Sequence, residues 1–83
     1  MFSAENFRAN LRTAMTNRGV SQRELASRVE GGYTHLNRIL TGKAEATLSS
    51  ADRLADAIGV PLSDLLISPA EFAVVDANAA ASA

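Results

Sequence analysis

The 83-residue chain is expected to fold as an all-α domain: a compact bundle of five short helices followed by a short C-terminal extension. Three observations point there. Apolar residues recur at spacings of three and four from residue 7 to residue 66, the period of a helix face. Each stripe stops at a glycine or proline, where helices end. The chain has one β-prone run, Glu71-Phe72-Ala73-Val74-Val75-Asp76, and it lies beyond the last stripe. A chain this short buries only about 60% of its unfolded surface, so one core must supply its stability.

The first stripe is Phe7, Leu11, Ala14 and Met15, closed by Gly19 as a left-handed cap. The second opens at Ser21-Gln22-Arg23-Glu24, a capping box in which serine and glutamate each satisfy the other's free amide. Its apolar positions are Leu25, Ala26 and Val29, and Glu30-Gly31-Gly32 breaks it. Leu36, Ile39 and Leu40 form the third stripe, closed by Gly42. Ala51, Leu54, Ala55 and Ile58 form the fourth, with Thr47 as its cap and Gly59 as its stop. Pro61 suits the first turn of a fifth helix with Leu62, Leu65 and Leu66 inside, which Pro69 then ends. These five helices define a domain of residues 1–68; residues 69–83 form the extension, and its low-complexity end, residues 77–83, reads as a frayed tail. No internal repeat is visible.

Net charge is −1, but it is unevenly spread. Residues 1–43 carry seven basic and three acidic side chains, net +4; residues 44–83 carry one and six, net −5. A molecule polarised in this way can offer a cationic side to a polyanion although its total charge is near zero. Cysteine is absent, which removes disulfides and thiolate metal sites and agrees with a reducing cytoplasm. The lone histidine, His35, has no partner for a metal site, and so small a core leaves little room for a catalytic pocket. No paired carboxylates or phosphate loop points to an enzyme, and no cofactor is implied. No apolar stretch approaches the roughly 20 residues of a membrane span, and the N-terminus lacks a secretory pattern.

The most informative stretch is residues 21–42. Two short helices joined by so brief a break must cross steeply, with a small residue, Ala26, where they meet. Here the chain resembles the XRE-type family, the phage repressor and Cro class of helix-turn-helix proteins. Ser21-Gln22, Glu24-Leu25-Ala26, Leu36, Ile39 and Gly42 stand at the family's spacings without a gap. The likeness continues through Leu48, Leu54-Ala55, Ala57-Ile58-Gly59-Val60 and Leu65-Leu66, covering about residues 5–67. Glu30, Gly31 and Gly32 depart from the family pattern of glycine, an apolar residue, then serine or threonine. A non-glycine residue in the left-handed region costs roughly 1–2 kcal/mol. The second helix is therefore expected to run longer, with Gly31 taking the strained position.

The resemblance implies a regulator, most simply a repressor, that binds double-stranded DNA as a homodimer on a palindromic operator. It places Tyr33, Thr34, Asn37 and Arg38 at base edges, with Arg38 suited to guanine and Asn37 to adenine. It places Gln22, Arg23, His35 and Lys43 near phosphates, with His35 at the rim. Arg12 is a further phosphate candidate, although Arg12 and Arg23 could instead pair with Glu5 and Glu24. The dimer contact is expected over residues 62–76, through Leu62, Leu66, Phe72, Val74 and Val75, away from the basic half. A protein-interaction module, an antitoxin or adaptor on the same scaffold, is the competing reading.

Overall fold

The computed structural model describes residues 3–81, which form six α-helices and no strand. They are α1 (Ala4–Arg18), α2 (Gln22–Ser27), α3 (Gly32–Leu40), α4 (Leu48–Ile58), α5 (Leu62–Leu65) and α6 (Pro69–Ala81). Ser3, Ser21 and Thr47 cap α1, α2 and α4, each side-chain oxygen accepting from the amide three residues on. Gly19 and Gly59 stop α1 and α4 as expected. The capping box at α2 is only half made. Ser21 Oγ accepts from the Glu24 amide at 3.1 Å, but the Glu24 carboxylate turns away to Arg28, 2.7 Å distant.

The long α1 packs against α3, α4, α5 and α6, and α2 lies on α3 and α4. Phe7, Leu11, Ala14 and Met15 line its buried face, as the periodicity predicts, and meet Leu25, Leu36, Ile39, Leu54, Ile58 and Leu65 from the other helices. One buried member of α1 is polar. Asn10, fully buried, donates through Nδ2 to the carbonyls of Leu65 (2.9 Å) and Ile67 (2.8 Å) at the end of α5. Asn6, one turn earlier, donates to the intervening Leu66 carbonyl at 3.4 Å. Carbonyls left without partners where a helix stops are thus satisfied from α1.

The C-terminal segment departs from expectation. Pro69 does not merely end α5; it opens α6, with Ser68 Oγ accepting from the Glu71 amide at 3.3 Å. The β-prone run lies inside this helix, and what reads as a frayed tail is helical through Ala81; residues 82 and 83 fall outside the described residues. Phe72 is fully buried in the core and therefore is not available as a dimer contact. One turn on, Asp76 is also buried and accepts from both Arg18 Nη atoms (2.8 and 2.9 Å) and from Asn17 Nδ2 (2.9 Å). Burial of the ring is worth about 1.5–3 kcal/mol. The ion pair fixes where along α1 the helix stops.

The hydrogen bond from Arg18 holds the Asp76 carboxyl below its ordinary value of 3.8, assisted by Asn17 and opposed by burial. A carboxyl with a lowered folded-state pKa stabilises fully above its unfolded pKa and loses that contribution as pH falls through the folded value. Asp76→Asn should therefore cost about 1–3 kcal/mol at neutral pH, with the gap from wild type closing in acid. Thermal melts of both proteins between about pH 2 and pH 7 check this. A gap that does not change with pH would contradict it.

Candidate nucleic-acid interface

The turn between α2 and α3 runs through residues 28–31. Contrary to expectation α2 does not lengthen; it ends at Ser27, and Val29 packs half-buried against the core from the turn. Gly31 does take a left-handed conformation, at φ 97°, but Gly32 shares it at φ 70°. Two positive-φ residues in succession replace a longer helix. At Gly31 space is also short, because a Cβ would stand 2.8 Å from His35 Cδ2. The imidazole can lie against the turn only because this residue has no side chain.

Leu36, Ile39 and Leu40 seat α3 on the core, and buried Ala26 lets α2 lie against it. With about 100° between successive residues, the side opposite that stripe centres on Thr34, Arg38 and Thr41. Thr34 and Arg38 are exposed accordingly. Tyr33 and Asn37 stand on the α2-side edge, with Tyr33 45% exposed and Asn37 half-buried. His35 stands on the other edge, lining a small cleft with Glu30, Ser50 and Arg53, apart from the other phosphate candidates. The four expected base readers thus share one side of α3, two at its centre and two at its margin.

The cations sort by what they already hold. Arg18 is taken by Asp76, Arg28 by Glu24, and Arg53 reaches Glu30 at 3.5 Å. Among the described residues no carboxylate pairs with Arg8, Arg12, Arg23, Arg38 or Lys43. Arg12 donates instead to the Leu40 carbonyl at 2.8 Å, at the end of α3. The Arg8 guanidinium carbon lies 3.6 Å from where a Cβ of Gly42 would be, which sets it beside Lys43. Arg23 lies over the Tyr33 ring, 5.3 Å from its centroid. The alternative pairings of Arg12 with Glu5 and Arg23 with Glu24 do not form. Five cations without a carboxylate partner therefore lie on α3 or on the residues around its two ends. Arg8 was not among the sequence candidates, because only the fold brings it to Gly42.

Gln22 lines a surface groove of about 330 Å³ with Arg12, Thr16, Ser21 and Leu40. Its Nε2 is buried and has no hydrogen-bond partner among the described residues. Such a donor is costly unless something accepts from it.

A short α2, a tight glycine turn and an outward-facing α3 ringed by free cations define a helix-turn-helix DNA-binding protein. A family model described as helix-turn-helix matches residues 11–65, and the chain belongs to the XRE-type helix-turn-helix family of DNA-binding regulators. No curated protein and no solved structure gave a significant match to the chain. Among the described residues no helix is long and apolar enough to cross a membrane.

Proposed function

We propose that the protein is a cytoplasmic transcriptional repressor that binds a palindromic operator as a homodimer, with α3 in the major groove. The observation that carries this reading is the exposed side of α3, where Thr34 and Arg38 stand at the centre and the free cations of the chain gather around the ends. Arg38 offers its two-pronged guanidinium to guanine, and Asn37 its amide to adenine. Arg8, Arg12, Arg23 and Lys43 neutralise phosphates on either side, and the Gln22 amide turns out of its buried position to donate to a phosphate oxygen. Occupying the operator excludes other proteins from it, and no cofactor is needed.

A single reading helix addresses only a few base pairs, so a second copy about one helical turn away supplies the rest of the site. The half-buried Leu62 and Leu66 of the α5 end, with exposed Val74 and Val75 of α6, form the surface for that copy. Supporting this, Ala70, Ala73, Val74, Val75 and Ala77 make the outer side of α6 largely apolar, with Glu71 the one exposed charge among its described side chains, and α6 packs chiefly along α1 rather than on the α2–α3 pair. The competing use of the same side, docking of an adaptor's or antitoxin's protein partner, would leave the free protein monomeric.

Arg38→Ala should lower affinity for the selected operator by about 1–3 kcal/mol and relax preference at one base pair. Lys43→Ala should weaken all duplexes alike and reduce the salt slope by about one. Electrophoretic mobility shifts with titrated salt check both; wild-type affinity in both variants would rule out this face.

For assembly, Val74→Asp should shift the mass seen by analytical ultracentrifugation from dimer to monomer without lowering the melting temperature, since this side chain is 63% exposed. A monomeric wild type, or an unaltered dimer in the variant, would exclude this surface. Deleting residues 69–83 is the poorer test, because it removes Phe72 from the core.

A further inference from the structure

Arg23 and Tyr33 are ten positions apart and on different helices, yet the guanidinium lies over the ring, 5.3 Å from its centroid. We propose that Tyr33 is a positioning residue rather than a base reader: its ring holds Arg23 as a pre-ordered fork for a DNA phosphate. The proposal rests on the reading of α3 as the DNA-binding helix. Four features of the site carry it.

First, Arg23 has no competitor for its charge. The adjacent carboxylate, Glu24, is held by Arg28 at 2.7 Å, so Arg23 meets the ring and not an anion. Second, a guanidinium lying over a ring face keeps the N–H groups on its rim free, and these match two phosphate oxygens. Third, an arginine side chain surrenders substantial rotamer freedom when it is fixed on a ligand; one already held on a ring gives up less of it at the moment of binding. Fourth, Tyr33 stands at the α2-side edge of α3, about a third of a turn from the Thr34–Arg38 centre that faces the groove. From that edge the ring is well placed to support a neighbour on α2 and poorly placed to reach a base.

The pair therefore ties the phosphate anchor on α2 to the reading helix, so that docking of one sets the depth of the other. Its chemistry uses the ring face and leaves the tyrosine hydroxyl idle. Phenylalanine should replace tyrosine without loss, whereas leucine, apolar but smaller and without a π face, should not.

Two measurements on the full chain test this. In the free protein, NMR should show the Arg23 δ-methylene protons shifted upfield by the ring in wild type and Tyr33→Phe, and not in Tyr33→Leu. Absence of that shift in wild type overturns the stack itself. Fluorescence anisotropy then compares a duplex selected by wild type from a randomised pool with an unrelated duplex. Tyr33→Phe should bind both as wild type does. Tyr33→Leu and Arg23→Ala should each lose about threefold to tenfold on both duplexes, and the double variant should lose no more than either alone. Additive losses, a Tyr33→Phe defect, or a changed base preference in Tyr33→Leu would return Tyr33 to base reading and overturn the proposal. A wild type that shows the ring shift but binds no duplex refutes the DNA-binding reading, and the phosphate role of Arg23 falls with it.

Discussion

Asn10 is a polar side chain in the middle of an otherwise apolar helix face, and it places half of the molecule. Its amide takes the carbonyls of Leu65 and Ile67, and that fixes the end of α5 against α1. Without these bonds two carbonyls at a helix end would face the core unsatisfied, a cost of about 1–3 kcal/mol each. The position of α6 follows from the same anchor, because the chain leaves Ile67 directly into Ser68 and Pro69. Phe72 can then reach the core, and Asp76 can reach Arg18, about two turns beyond Asn10 on the same α1. One helix thus supplies the apolar floor, the polar bolt and the ionic stop.

The other side of α1 serves α3 and the loop after it. Arg12 reaches the Leu40 carbonyl and so braces the end of α3, while Arg8 covers Gly42 just beyond it. The exposed side of α3 exists because its opposite side is so firmly used: three large aliphatic residues are buried within two turns. The corner with α2 adds a second restraint, since Ala26 leaves no bulk between the helices and Gly31 leaves none beneath His35. Rigidity of this kind matters for reading DNA, as side chains must arrive at the groove already in position. The division of labour among the cations is set by the same packing. Arg18, Arg28 and Arg53 each meet a carboxylate, and among the described residues the other five do not.

Much of this was legible in the chain. Helices α1 to α5 follow apolar spacing and punctuation, because each buries a stripe of aliphatic residues that a periodic pattern reports directly. The helix α6 buries only Phe72 and Asp76 among its described side chains, one apolar and one charged, so it leaves no stripe to see; two adjacent valines then imitate a strand. A sign was present in Ser68-Pro69-Ala70-Glu71, a serine cap, a proline at the first position and a glutamate at the third, the same grammar that marks α2. In the interface, the outward set Thr34 and Arg38 follows from the helix period alone. The placement of Arg8 beside Gly42 and of Arg23 over Tyr33 does not, since both join residues that only the tertiary fold brings together. The turn was half legible: glycine at position 31 signals a left-handed residue, but local sequence does not say whether a helix lengthens or a second glycine shares the strain.

The central claim is that α3, with the N-terminal end of α2 and the Gly42–Lys43 loop, is the surface that meets double-stranded DNA. Titrating the isotopically labelled full chain with a selected duplex and mapping amide shift changes by NMR tests it most directly. The account predicts the largest changes at residues 22–24, 33–38 and 41–43, with α6 affected only where the second copy docks. Changes centred on α6, or none that survive moderate salt, would contradict it.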